Sequence, residues 1–271
     1  PGGLSDPAVR ALGVAALVSI WWVTEALPLP ATALVPAALF PLLGVASAKE
    51  LAPSFAHPFV LLLLAGFMLA MAVEHTGAHR RVALHVLRWV GPAPRRLVLG
   101  FSLSATLISM WISNTATALI LMPVAMALAD HARAHASAEA ARTFGVAVVL
   151  AVAYGASIGG LGTPVGTVAN LIAIGALEQH YPTGPSLTFL EWASAGVPIA
   201  LVMMFVLWVV LVFVSPRVVS AMSLGASDLI DRELAALGPW RASERRALGL
   251  FAVAALLWIT REDVTLGEGQ S

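Results

Sequence analysis

The chain has 271 residues, 59% of them apolar and only 11% charged, where a soluble domain carries roughly 45–50% and about 25%; a water-soluble globule is excluded. Fifteen basic and fifteen acidic side chains cancel, which removes the cationic surface that binding nucleic acid needs. The absence of cysteine excludes disulfides, thiolate metal sites and cysteine nucleophiles.

The sequence opens on Pro1-Gly2-Gly3, without an initiating methionine or a charged n-region before an apolar stretch, so neither a natural start nor a signal peptide is visible and the true N-terminus is expected to lie upstream. Asp6 as N-cap, with Pro7 at the first helical position, starts a first span from Ala8 to Leu27, enough for about 30 Å of hydrocarbon. Pro28 and Pro30 stop it, and Ala31 to Val45 makes a shorter, proline-interrupted second span. Lys49 and Glu50 mark a loop. Pro58 to Val73 is a third span, after which the arginines and histidines of 79–96 alternate with Val82, Leu84, Leu87 and Trp89; this predicts an interfacial amphipathic helix.

Leu97 to Ile112 and Ala116 to Ala129 are arms of 16 and 14 residues around the polar triplet Ser113-Asn114-Thr115. Both fall short of the ~20 residues of a crossing, which predicts a re-entrant hairpin over 97–129. Phe144 to Ile158 begins another helix, the glycine-rich stretch 159–167 interrupts it, and Val168 to Leu177 resumes: a broken helix over 144–177. Thr188 and Glu191 form a capping box that opens a span over 189–214, kinked by Pro198. Residues 215–246 read as a polar interfacial connector, with a short helix from Ser227 or Asp228, and Ala247 to Thr260 begins one more apolar segment. Because 77–96, 131–143 and 215–246 hold nearly all the arginines, these loops are expected to be cytoplasmic.

Chemistry is sought where polar backbone sits at membrane depth. The hydroxyls of Ser113 and Thr115, the Asn114 carboxamide and the N-terminus of the following helix offer donors to a small oxyanion. The gap in the broken helix offers carbonyls to a cation and amides to an anion. Taken alone, the triplet also reads as a capped turn that touches no ligand, and the glycine run as close helix packing. Glu25 reads as a structural residue at a span end rather than a proton relay. His131 and His135 have the i, i+4 spacing of a metal pair but lack the acidic residue of a helical zinc motif, and the eight tryptophans read as interfacial anchors.

Ser113-Asn114-Thr115-Ala116-Thr117-Ala118 with Met122-Pro123, then Tyr154-Gly155-Ala156-Ser157-Ile158-Gly159-Gly160-Leu161-Gly162-Thr163 and Gly166-Thr167 ending in Asn170, resemble the divalent anion/sodium symporters. Trp21-Trp22-Val23-Thr24-Glu25-Ala26 and Gly66-Phe67-Met68-Leu69-Ala70 extend the likeness along nearly the whole chain. The resemblance implies an all-α integral membrane protein of the bacterial inner membrane. It implies a non-enzyme without cofactor, a homodimer when intact, that imports di- or tricarboxylates with sodium as coupling ion.

It implies substrate contacts at Ser113, Asn114, Thr115, Gly166 and Thr167. The implied sodium contacts are Ser109, Ser113, Asn114, Gly159, Gly160, Gly162 and Thr163. Many members read Gly-Thr-Pro-Pro-Asn where this chain has Gly166-Thr167-Val168-Ala169-Asn170, so the second arm is expected to open on a less rigid turn. Residues 8–96 would be scaffold, 97–214 transport region, 215–246 connector and 247–271 the start of a second repeat. Only one triplet tip and one glycine-rich break occur, so the chain is expected to be the first of two inverted repeats and inactive alone. Alternatives are a sodium-independent exchanger, a sulfate transporter, or, from another class, an intramembrane hydrolase built on Ser157.

Overall fold

A computed structural model of the chain describes residues 4–55, 58–181, 187–214 and 226–260. The described residues form helices and connecting turns, with no strand among them. They divide into two compact units, Pro1–Leu61 and Leu62–Ser271.

In the first unit, α1 (Asp6–Thr24) takes Ser5 as its N-cap, one residue before the expected Asp6; the Asp6 carboxylate instead meets the helix dipole from the first turn. α1 ends at Glu25, whose φ of 50° makes it a left-handed C-cap, consistent with a structural residue. α2 (Leu29–Leu42) carries Pro36 and Pro41 inside it. The Arg10 guanidinium donates to the Leu43 carbonyl at 2.8 Å, setting a cation on the negative end of α2. Lys49 and Glu50, expected in a loop, lie in α3 (Ala48–Phe55). Ser47 and Glu50 cap that helix reciprocally: Ser47 N and Oγ donate to Glu50 Oε2 at 2.7 and 2.8 Å, and Glu50 N donates to Ser47 Oγ at 3.3 Å. This Ser-x-x-Glu box was readable in the sequence.

α4 (Pro58–Thr76) turns through 71° into α5 (Ala78–Val90) at Gly77, whose φ of 76° suits glycine. α5 is amphipathic as expected, but it is shorter than 79–96: it stops at Gly91, and α6 (Pro94–Ser109) begins within the stretch assigned to it. The arginines of α5 do not simply face water. Arg81 is buried and reaches Glu244 at 3.2 Å, donates to the Leu237, Gly238 and Pro239 carbonyls, and stacks 4.9 Å from the Trp240 ring. Arg80 and Arg88 add pairs to Glu233 at 2.5 Å and Asp231 at 3.2 Å. These bonds tie α5 to α11 (Ala226–Ala236) and α12 (Ala242–Thr260). α11 starts one or two residues before the expected Ser227 or Asp228, and α12 starts five residues ahead of the expected Ala247.

The core lies among α5, α6, α7 (Asn114–His135) and α8 (Ala138–Gly159), where Leu84, Leu87, Phe101 and Phe144 are wholly buried. Beyond α8 come α9 (Val168–His180) and α10 (Phe189–Val209), the latter ending in a π-turn, Val210–Val214. The capping box at Thr188 and Glu191 forms as read, with both reciprocal bonds present. Among the described residues, four helices are long and apolar enough to cross a membrane: Asp6–Thr24, Asn114–His135, Ala138–Gly159 and Phe189–Phe213. Exposed apolar side chains on them, such as Val23 at 86% and Val202 at 63%, fit contact with lipid rather than water. α7 has 22 residues, not 14, so helix length does not set the second hairpin arm apart. Its apolar stretch still ends at Ala129, before Asp130, His131 and Arg133.

Breaking a buried ion pair costs about 3–5 kcal/mol, against about 0–1 for exposed ones, so the Arg81–Glu244 pair should dominate the clamp on α5. Burial pushes the Glu244 carboxyl up, but the Arg241 backbone N–H and the Arg81 guanidinium outweigh it and hold it below the ordinary 4.5. Glu244 precedes the apolar part of α12, and its contribution is complete above pH 4.5 and lost as pH falls through the lowered value. Glu244→Gln should therefore lower thermal stability at neutral pH and flatten its decline on acidification, both read by unfolding scans in detergent from pH 7 to 3.5.

Candidate functional site

The site begins with helix packing. Glycines at 155 and 159 on α8 let α6 approach backbone to backbone: a Cβ on Gly159 would stand 2.2 Å from the Thr106 carbonyl oxygen, and one on Gly155 3.0 Å from that of Ser102. Small residues four apart are what close contact between membrane helices requires. Thr106 Oγ1 then donates to the Gly155 carbonyl at 3.2 Å, and Thr163 Oγ1 donates to the Met110 carbonyl. The hairpin and the broken helix are thus joined at both the packed helices and the loops beyond them.

At the hairpin tip, Ser113 is the N-cap of α7, its hydroxyl accepting the Ala116 N–H at 3.2 Å. The capped-turn reading of the triplet is therefore present in the structure. α7 starts at Asn114 rather than near Ala116, so Asn114 and Thr115 are its first two residues. Ser109 Oγ donates to Asn114 Oδ1 at 2.7 Å. The same oxygen faces Gly160, where a Cβ would come within 2.7 Å of it. Ser113 and Thr115 are exposed, Asn114 is half-buried and Ser109 is fully buried.

The break occupies 160–167, between α8 and α9. Asn170 Nδ2 donates to the Gly160 and Thr163 carbonyls, both at 2.8 Å, so one buried carboxamide ties the start of the second arm to the end of the first. Gly166 packs on Gly160, where a Cβ would meet the carbonyl oxygen at 2.6 Å. Gly159 and Gly162 close a turn through Gly162 N to Gly159 O at 2.9 Å. Thr167 is the N-cap of α9, and its side chain makes no cap bond. From outside, α10 leans on the break: Trp192 Nε1 donates to the Leu161 carbonyl at 3.1 Å, and Gly196 is needed because a Cβ there would be 2.8 Å from the Leu161 and Gly162 oxygens.

The fold therefore brings Ser109, Asn114, Gly160 and Gly166 to one place, with Gly159, Gly162 and Thr163 in the adjoining turn. The polar side chains among these are neutral hydroxyls and one carboxamide. No cluster of three or more His, Asp or Glu that could hold a metal occurs among the described residues. The His131 and His135 rings stack 4.3 Å apart at the far end of α7, and Ser157 Oγ donates back to the Ala153 carbonyl at 3.2 Å with no histidine bonded to it among the described residues. Sequence reading passed over Asn170 as a staple, and passed over Thr117, whose hydroxyl is buried without a hydrogen-bond partner. Their spacing was the available signal, since Thr117 follows Asn114 by three residues, one helical turn.

Asn170→Ala removes the donor shared by two buried carbonyls, and each acceptor left short costs about 1–3 kcal/mol. Thermal unfolding of the variant in detergent should show a stability loss of that order; an unchanged melting curve would show that the carboxamide does not hold the break.

The match to known proteins covers the same span as these features. The family model described as the sodium:sulfate symporter transmembrane region matches residues 1–270. The chain is 34% identical over 266 residues to the sodium-dependent dicarboxylate transporter SdcS of Staphylococcus saprophyticus, covering 97% of this chain and 51% of that protein. It is 33% identical over the same length to SdcS of Staphylococcus aureus, with the same coverage. The chain thus spans about half the length of the curated relatives it matches. An all-α chain with membrane-spanning helices, a triplet-tipped hairpin locked to a glycine-broken helix and a family match from end to end belongs to the sodium:sulfate symporter family.

Proposed function

We propose that the protein is a secondary transporter that imports dicarboxylates or related anions with sodium across the bacterial plasma membrane, working as a homodimer. The observation that carries this reading is the position of Asn114, bonded to Ser109 at 2.7 Å and set against Gly160 of the break. A carboxylate takes hydrogen bonds from Asn114 Nδ2, from the Ser113 and Thr115 hydroxyls and from the free N–H groups opening α7, where the helix dipole favours negative charge. Gly166 and Thr167 bound it from the start of α9. Sodium takes Asn114 Oδ1, the Ser109 and Ser113 hydroxyl oxygens and carbonyls of Gly159, Gly160, Gly162 and Thr163. Cation and anion then neutralise each other around one carboxamide, which couples their binding. The names of the SdcS relatives support sodium and a dicarboxylate, and the apolar part of α7 supports a hairpin that enters and leaves on one side. In this reading residues 8–96 are scaffold and 97–214 carry the cargo.

Asn114→Ala should abolish sodium-driven uptake while leaving membrane insertion intact, because hydrogen bonds to charged groups are worth about 1.5–3 kcal/mol each and both cargoes use this residue. Uptake of labelled succinate, citrate and sulfate by proteoliposomes, with sodium or choline outside, tests this and selects the substrate. Wild-type rates in a well-inserted Asn114→Ala variant would refute the assignment.

Moving a dianion inward against 100 mV, negative inside, costs about 4.6 kcal/mol at roughly 2.3 kcal/mol per charge, and two sodium ions would only cancel it. Uptake of a dianion should therefore carry inward positive current under voltage clamp, corresponding to more than two sodium ions per cycle.

A further inference from the structure

Beside the Arg81–Glu244 clamp, α5, α11 and the start of α12 leave an open cleft of about 370 Å³ whose lining includes Arg81, His85, Arg88, Asp231, Leu234 and Trp240. Arg81 is spent on Glu244 and on loop carbonyls, but its neighbours are not. Arg88 meets Asp231 through Nε alone, at 3.2 Å, and its terminal amino groups hold no hydrogen bond among the described residues. His85 donates from Nδ1 to the Arg81 carbonyl at 2.7 Å, which leaves Nε2 as a free acceptor. Trp240 lies on the Arg81 guanidinium, and its indole N–H also has no partner among the described residues.

Depth decides what such a cleft can hold. The apolar run of α12 starts at Ala247, and its exposed Leu250, Val253, Leu256 and Leu257 fit hydrocarbon. Between Trp240 and that run stands the helix from Ala242 to Arg246, which rises at most about 8 Å at 1.5 Å per residue. A headgroup layer is about 5–8 Å deep on each side of a bilayer, so the cleft lies at its level. On α5 the cleft borders an apolar stripe: Val82 and Trp89, 36% and 81% exposed, share one helix face, and His85 lies one turn from each. A polar cleft edged by exposed apolar side chains matches an amphiphile, whereas a soluble anion makes no use of the stripe.

We propose that this cleft binds the headgroup of an anionic phospholipid, with the phosphate on the Arg88 guanidinium and the Trp240 indole N–H, a headgroup hydroxyl donating to His85 Nε2, and an acyl chain along Val82 and Trp89. A phosphate diester takes two parallel bonds from the guanidinium in place of its single contact with Asp231. Asp231 is therefore the group with which the lipid competes. No residue assigned to sodium or dicarboxylate takes part, so the inference stands apart from the transport reading.

The test is native mass spectrometry of the full-length protein in detergent micelles, titrated with phosphatidylglycerol or phosphatidylcholine. Wild type should hold phosphatidylglycerol in preference. Arg88→Gln should weaken that binding roughly tenfold or more, the fold-change of losing one hydrogen bond to a charged group. Asp231→Asn, which removes the competing carboxylate, should strengthen it, and Trp240→Phe, which keeps a ring over Arg81 without the N–H, should fall between wild type and Arg88→Gln. The Arg88–Asp231 pair is exposed, 64% and 51%, and such pairs add little stability, so both variants should melt with wild type in phosphatidylcholine; if Arg88→Gln melts lower, Asp231→Asn decides alone. Equal retention of the two lipids by wild type, or one phosphatidylglycerol affinity across wild type and both charge variants, overturns the proposal. Weakened binding in Asp231→Asn overturns it too and assigns the ion pair to holding α11 on α5. Displacement of the lipid by millimolar glycerol 3-phosphate overturns the lipid in favour of a soluble phosphate ester.

Discussion

The contact of α6 with α8 at Gly155 and Gly159 is the constraint from which the rest of the site follows. With a Cβ at 159 the two backbones would have to part, because the Thr106 carbonyl lies inside the space it would fill. At the observed separation, Thr106 reaches the Gly155 carbonyl, Thr163 reaches that of Met110, and the hairpin tip arrives level with Gly160. Hydrocarbon offers no hydrophobic drive for two helices to associate, so close van der Waals contact and these hydrogen bonds must supply it. The geometry of the tip is therefore set by two glycines whose missing side chains let the helices meet.

A second requirement is that irregular backbone at membrane depth be satisfied by protein. Here the break is closed from three directions. Asn170 takes two of its carbonyls, Trp192 takes the Leu161 carbonyl, and Thr163 turns back onto α6. Each carbonyl oxygen has two lone pairs, so an oxygen already holding one donor keeps a direction free. The break is held in shape while its carbonyls keep lone pairs free.

Much of this was legible because it is local. The two arms of the broken helix follow from an apolar run, a glycine cluster and a second run, and the box of Thr188 and Glu191 follows from spacing alone. Ser47 and Glu50 carry the same signal, but the adjacent Lys49 and Glu50 pair also has the charge pattern of a loop, and the reciprocal cap decides for the helix. Asp130, His131 and Arg133 have the composition of a loop after Ala129, yet α7 runs on through them, because a helix continues freely once its polar end leaves the apolar layer. What sequence could not supply was partnership over distance. Arg81 looked like one more interfacial arginine, since its carboxylate lies 163 residues further on. Thr117 carries no role in the motif, since only three-dimensional burial reveals a hydroxyl with no partner.

That distance bears on how the protein is made. At roughly 5–20 residues per second of synthesis, about ten to thirty seconds separate the emergence of Arg81 from that of Glu244. In that interval α5 has its guanidinium and the apolar face around Leu84 and Leu87, but neither the carboxylate nor the loop carbonyls that will enclose them. A nascent chain paused there would carry a cationic amphipathic helix without its counter-charge, which the anionic headgroups of a lipid surface would supply. The lipid surface would then act as a placeholder, exchanged for α11 and α12 once the ribosome has delivered them.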